Sequence, residues 1–244
     1  MRVRTALTLL TLCTAGVLAG CGGGTKTDAS AGTTTPPVTD VSTAAPTTSQ
    51  AEITTCLDKG QPAPGTKAQY TKAEQVLKEG VDATIVMKTS CGTLNIKLDT
   101  KAGGPIPNSI AFLASKGFYD ALTFHRVVPD FVLQGGDPLG NGQGGPGYQV
   151  VGAVPAGYQY KLGDVAMAKT ASDPPGSSGS QFFVVSGPQG ESVLTSQPVY
   201  GILGHAADPV SLATIKRIAA LAVTDGPPSK PVWIISATVK PAVS

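Results

Sequence analysis

Histidine occurs only twice in this 244-residue chain and cysteine only four times. No pairing of these residues has the ligand spacing of a zinc site, so neither a metal nor any other cofactor is expected. An excess of one charge is also missing, with 18 basic residues facing 16 acidic ones. Two of the basic residues, Arg2 and Arg4, sit in the first 20 positions, which hold no acid, so the rest of the chain carries 16 of each sign. No basic patch or charge run remains, which excludes nucleic-acid binding. Two motif-like spellings exclude themselves. Gly140, Gly142 and Gly145 spell GxGxxG, but Pro146 and a non-helical Gly-Tyr-Gln-Val-Val follow, so no helix N-terminus awaits a phosphate. Residues 176–180, GSSGS, lack the final glycine of a nucleophile elbow, and no aspartate–histidine partners accompany them, so a serine hydrolase is not indicated.

What is present begins with a leader. Arg2 and Arg4 precede an apolar run from Ala6 to Val17, broken only by threonines, one Cys and one Gly. The run ends at Leu18-Ala19-Gly20, directly before Cys21. Residues 1–20 therefore read as a secretion signal, too short for a spanning helix. The sequence LAGC is similar to the lipobox of bacterial lipoproteins, which implies cleavage before Cys21 and lipidation of its thiol. The other reading is a plain signal peptide with an incidental cysteine. Acyl chains on Cys21 would hold the protein on the extracytoplasmic face of the cell membrane without spanning it. From Gly22 to Ala51 there are nine threonines, three serines and three prolines, and no aromatic residue. That composition cannot bury enough apolar area to offset its ordering entropy, so residues 21–51 are expected to form a disordered tether reaching roughly 30 Å. Residues 52–80 form a segment ahead of the domain. Cys13 leaves with the signal, so Cys56 and Cys91 remain as an even pair in an oxidising compartment. A Cys56–Cys91 bridge would pin this segment onto the first hairpin, worth roughly 3–4 kcal/mol by loop closure. Two unrelated thiols are the alternative.

Residues 81–243 have the length of one domain. Ala83–Ser90 and Thr93–Leu98 are β-rich runs split by the hairpin signal Ser90-Cys91-Gly92. Ile106, Ile110 and Leu113 recur at helical spacing, and Gly117 stops that helix. Leu122–Val128, Phe131–Gln134, Asp164–Lys169 and Gln181–Val185 read as strands separated by glycine-rich loops. Asp208-Pro209 is an N-cap followed by proline at the first helical position, and Leu212, Ile215 and Ala219 form the buried stripe of a second helix. Val232–Val239 is a last strand. Many short strands with two helices far apart predict a mainly β fold: a closed eight-stranded antiparallel barrel capped by two α-helices.

The most specific stretch is Phe124–Asp137, FHRVVPDFVLQGGD. Arg126 is the only lysine or arginine between Gly117 and Tyr160, set in an otherwise apolar strand. This stretch resembles the signature of the cyclophilins, the peptidyl-prolyl cis/trans isomerases: FHR, a proline, an aromatic, then QGGD. The second motif, SSGSQFFV, fits the same family, whose fold is an eight-stranded barrel with two helices. The resemblance covers essentially all of residues 81–243.

An Xaa-Pro bond turns slowly because its resonance must be broken, over a barrier of roughly 18–20 kcal/mol. A catalyst needs no nucleophile, acid or metal. It must grip the proline ring in an apolar pocket and favour the twisted amide over both planar forms. A fixed donor near the prolyl nitrogen does this, because twisting localises the lone pair there, and arginine suits the role. The resemblance implies that Arg126 is the catalytic arginine and Gln134 the glutamine that steadies it and contacts substrate backbone. It implies that Phe131, Val132, Phe183 and Leu194 form the proline pocket, that Gln181 is a site residue, and that Ala168 and Lys169 lie on the strand that pairs with substrate. Gln181 and Phe183, two apart, share a face, and Phe182 points the other way. His125 points away from Arg126, which makes it a structural histidine rather than an acid or base.

The chain departs from the family at two places. After Leu194 it reads TSQPVYG, one residue short and without the usual ring before the FG position, which predicts reduced turnover. Val193 stands where cyclosporin-sensitive members carry Trp, which predicts weak cyclosporin binding. Two functions follow. One is an isomerase acting on proline-containing unfolded or flexible polypeptides during the folding of exported proteins. The other is a weakly active or inactive cyclophilin-fold binding module at the membrane. A monomer is expected. A substrate-binding lipoprotein of a transporter would share the leader, but one compact domain is short for that role.

Overall fold

The computed structural model describes residues 55–241 apart from positions 64, 79 and 207. The expected leader, the tether and Cys21 lie outside the described residues. The chain opens with a hairpin of β1 (Thr84–Thr89) and β2 (Gly92–Leu98), joined by a two-residue turn of Ser90 and Cys91. Gly92 closes this turn with φ of +128°, beyond the reach of most side chains. Helix α1 (Ile106–Ser115) follows and ends at Lys116, with Gly117 turning the chain at φ +65°. Next come β3 (Arg126–Val127), β4 (Val132–Gly135), β5 (Val150–Val151), β6 (Asp164–Met167), β7 (Ser177–Ser178) and β8 (Phe182–Val185). Helix α2 (Pro188–Ser196), β9 (Ile202–His205), α3 (Pro209–Ala219) and β10 (Ile234–Lys240) complete the order.

Eight strands form one antiparallel sheet in the order β10-β1-β2-β9-β6-β8-β4-β3, and β5 pairs with β7 alone. The sheet is strongly curled but is an open half-barrel, which corrects the expectation of a closed barrel. Its outer strands β3 and β10 share no continuous ladder. Beside them the described residues show the isolated bridges Thr123 with Trp233 and Val127 with Gly226, and single backbone bonds from Ala121 N to Ile234 O and Ile234 N to Leu122 O. The expected strand Leu122–Val128 shrinks to Arg126–Val127 for the same reason. Ala121, at φ +67°, bends the chain beside that strand's expected start, and Phe124 donates its N–H to Val232 outside any ladder.

A second correction is the number of helices, three rather than two. The additional one, α2, begins with Pro188 at its first position, where proline's missing N–H costs nothing. It buries only Gly190 and Leu194, so its apolar period is too weak to read from sequence. In α3 the Asp208 carboxylate accepts from Val210 N and Ser211 N, and Ile215 and Ile218 are fully buried.

Alternation along the strands sorts residues into two layers. Val127, Leu133, Val184 and Val165 are register partners across β3, β4, β8 and β6, and all are fully buried in the barrel core. The adjacent register row is Arg126, Gln134, Phe183 and Ala166. Because side chains alternate, this row faces outward as a unit. Phe182 belongs to the core, where it meets Phe124 and Tyr119 edge to face at 5.9 and 6.0 Å.

The segment before the hairpin packs on the domain. A disulfide joins Cys56 to Cys91 at the hairpin turn. Tyr70 stacks edge-on against Phe112 of α1 at 5.0 Å, and its N–H donates to Pro146 O. Asn108 Oδ1 accepts from Val76 N and Leu77 N, and Leu77 is buried.

Candidate active site

The outward row and its neighbours enclose a cavity of about 180 Å³. Arg126 lines it. Phe131, Val132, Phe183 and Leu194 supply its apolar surface, and Gln134, Ala168 and Lys169 complete the predicted part of the lining. Eight of the nine predicted site residues thus meet at one cavity. The ninth, Gln181, lines a larger neighbouring cavity of about 660 Å³ that shares Gln134, Ala168 and Lys169 with the first.

Each wall has a structural cause. A Cβ at Gly190 would strike the Phe131 carbonyl, so glycine there lets α2 close on the 130–131 turn. That approach brings Leu194 toward Phe131. Glu191 of the same helix accepts the Leu162 N–H at 2.8 Å, and Thr195 accepts the Tyr160 N–H at 2.9 Å. Tyr160 is buried in the apolar cluster beneath the cavity. Tyr200 completes the lining, its ring edge-on to Phe183 at 5.1 Å and 85°. This ring is that of the FG position in TSQPVYG, and not the ring that the shortened 195–200 segment lacks before it. No local pattern marked Tyr160. Tyr200 was visible as the residue standing at the family's FG position.

A chain of hydrogen bonds orients the polar side. Gln181 Nε2 donates to the carbonyls of Gly142 and Gly144 at 3.0 and 2.9 Å. Its oxygen therefore accepts from Gln134 Nε2 at 3.2 Å, and Gln134 Oε1 accepts from Arg126 Nη1 at 3.2 Å. One arrangement of both amides satisfies every bond. Gly136, at φ +84°, lets the chain turn away directly after this row, where a Cβ would lie 2.5 Å from Ser180 O.

The remaining Arg126 contact was absent from the sequence reading. Asp225 takes Arg126 Nε at 2.5 Å and Nη2 at 2.8 Å, and this hydrogen-bonded pairing holds its carboxyl below the usual carboxylate range. The guanidinium also lies over the Phe131 ring at 6.0 Å. His125 behaves differently. Neither of its ring nitrogens has a hydrogen-bond partner among the described residues, and burial lowers its pKa, with nearby Asp137 opposing. A neutral imidazole is favoured there. Lys169 does not point into open water, since Nζ donates to the carbonyls of Thr170 and Asp173 at 3.0 Å each.

The family model for cyclophilin type peptidyl-prolyl cis-trans isomerases matches residues 84–239. The chain belongs to the cyclophilin family. It is 37% identical over 151 residues to the probable peptidyl-prolyl cis-trans isomerase A of Mycobacterium leprae, covering 61% of this chain and 74% of that protein. To peptidyl-prolyl cis-trans isomerase B of Bacillus subtilis it is 49% identical over 78 residues, which spans 32% of this chain and about half, 52%, of that relative. In fold it is similar to a Cryptosporidium parvum cyclophilin solved in the presence of the dipeptide Ala-Pro, with a TM-score of 0.55 and 24% identity. That likeness covers 64% of this chain and 98% of the other. The curled half-barrel with three helices is thus a cyclophilin-like fold.

Proposed function

We propose that this cyclophilin accelerates the cis/trans exchange of Xaa-Pro bonds in exported polypeptides, working from a lipid anchor at the membrane surface. The observation that carries the reading is that Arg126, held by Gln134, lines the same cavity of about 180 Å³ as the apolar Phe131, Val132, Phe183 and Leu194. In this reading Phe131, Val132, Phe183 and Leu194 hold the proline ring. Gln134 fixes one guanidinium nitrogen, and Ala168, Lys169 and Gln181 meet the flanking substrate backbone. As the amide twists, the prolyl nitrogen gains a localised lone pair and accepts from Arg126, a bond neither planar form can make as well. No proton changes hands, so a neutral His125 beside the site has no acid–base task.

The membrane part rests on Cys21 following Leu18-Ala19-Gly20, with the Thr/Ser/Pro-rich residues 22–51 as spacer. Clients would be unfolded or flexible chains emerging at that surface, and the isomerase would act on them as a monomer.

Two measurements test the reading. Exchange of an Ala-Pro peptide is followed by NMR with the full chain in detergent and with Arg126→Ala. The wild type should accelerate exchange, and the variant should lose about a hundredfold of kcat/KM, the equivalent of roughly 2.7 kcal/mol of transition-state stabilisation. Peptide binding without acceleration would instead make the fold a binding module. For the anchor, the wild-type protein should partition into membranes and carry acyl mass on Cys21, and Cys21→Ser should do neither. A soluble, unacylated wild type would overturn that part.

A further inference from the structure

Asp225 belongs to a loop far from every motif in the sequence, yet it makes the most extensive contact to Arg126. Its two oxygens take Nε and Nη2, at 2.5 and 2.8 Å, in the parallel fork geometry that a guanidinium offers a carboxylate. The loop is set in register with the site by backbone bonds. Val127, directly after Arg126, donates to Gly226 O at 2.7 Å, directly after Asp225, and Ser229 N closes the loop onto Leu221 O at 2.8 Å.

We infer that Asp225 is a positioning residue for the isomerase reaction, one that fixes the guanidinium plane of Arg126 so that its free N–H bonds are held for the prolyl nitrogen. The inference rests on the reading of Arg126 given above. A guanidinium has five N–H donors. Asp225 occupies the Nε hydrogen and one on Nη2, and Gln134 occupies one on Nη1, which leaves one hydrogen on each Nη. Anchoring three nitrogens from two sides defines the plane, where Gln134 alone would allow rotation. Without the fork, a long side chain with about a third of its surface exposed would spread over many rotamers, and each catalytic event would have to select one.

A carboxylate beside the donor also has an opposing effect, since it reduces the positive potential felt by substrate. The Asp225 side chain is 62% exposed, so water screens that charge, while the geometric constraint is unscreened. Positioning should therefore win, and removal of Asp225 should slow the reaction rather than speed it. The same exposure means that the pair adds little to folding stability, so activity and stability separate.

The test uses the full chain in detergent with an Ala-Pro peptide, comparing wild type, Asp225→Ala, Asp225→Asn, Asp225→Glu, Arg126→Ala and the double variant Arg126→Ala/Asp225→Ala. Asp225→Ala should lower kcat about tenfold with KM changed less than about twofold, and Asp225→Glu should restore part of the loss. The double variant should be no slower than Arg126→Ala, because Asp225 acts only through the arginine. The Arg126 Nε–Hε NMR signal should be dispersed and slowly exchanging in the wild type and averaged in Asp225→Ala. Wild-type or faster turnover in both Asp225→Ala and Asp225→Asn, with an unchanged Arg126 signal, would overturn the inference. A wild-type rate in Arg126→Ala would sink the underlying reading instead, and the Arg126 signal would still report whether Asp225 holds the side chain.

Discussion

The chemistry rests on side chains that hold one another. Gln134 is the hinge of the chain of bonds, since one amide serves both Gln181 and Arg126. Gln134→Leu keeps the size and removes both bonds, leaving Gln181 Oε1 and Arg126 Nη1 without these partners. Hydrogen bonds to charged groups contribute about 1.5–3 kcal/mol, so kcat/KM should fall about tenfold or more, with the pocket residues still packed. Peptide exchange by NMR measures the rate, and an unchanged KM would show that the proline pocket survives. Arg126 and Gln134 were readable because they lie eight positions apart within one motif, on strands that pair directly. Asp225 was not readable. It is 99 positions from Arg126 in a loop of ordinary composition, and a lone aspartate there has the look of a surface charge.

Among the elements, those with strong local signals came out close to their expected bounds. The hairpin β1–β2, α1 with its stop at Gly117, and α3 behind Asp208 are set by turn chemistry and caps that act over four residues or fewer. Asp208→Ala should therefore cost about 0.5–2 kcal/mol, because it removes the acceptor of Val210 N, Ser211 N and the Ser211 hydroxyl. Urea unfolding checks this, and a loss well outside that range would mean the carboxylate does more than cap. Helix α2 eluded the pattern because one buried leucine in nine residues makes no stripe. It exists through tertiary anchors, Glu191 and Thr195 to the 160–162 backbone and Leu194 to the cavity. The strand Leu122–Val128 was overestimated because residues 121–124 meet 232–234 through one isolated bridge and single backbone bonds rather than a continuous ladder.

For the whole molecule, pH offers a test of how the sheet is held. The buried Asp164 carboxylate accepts from Tyr158 OH and Lys161 N and pairs with His205 Nδ1 at 2.8 Å, raising the His205 pKa above its ordinary 6.5 chiefly through that hydrogen bond. A raised folded value means that the pair's stabilisation is complete below pH 6.5 and is lost as pH rises through the folded value. His125 acts with the opposite sign. Its lowered value makes the folded state bind fewer protons, so stability falls as pH drops below 6.5. The two should partly cancel in the wild type and give a shallow profile between pH 5 and 8. His205→Gln should expose the His125 limb, so the variant loses more stability relative to wild type at pH 5.5 than at pH 8. Urea midpoints at the two pH values decide it, and equal losses at both would refute the assignment.

Amino-acid order alone settled those features of this protein that depend on local periodicity. Alternation places Arg126, Gln134 and Phe183 on one face and Val127, Leu133 and Val184 on the other, because the pleat of a strand leaves no other choice. Turn and cap residues likewise set where the hairpin turns, where α1 ends at Gly117 and where α3 begins behind Asp208. Tertiary structure decided the rest. The half-barrel stays open, because its outer strands share no continuous ladder and the segments beside them meet through isolated bridges and single backbone bonds. Tyr200 packs on Phe183 and lines the cavity, and Asp225 grips the arginine from a loop near the far end of the chain. Contacts of that kind are set by how the sheet curls and where α2 docks, and no residue's immediate neighbours in sequence carry that information.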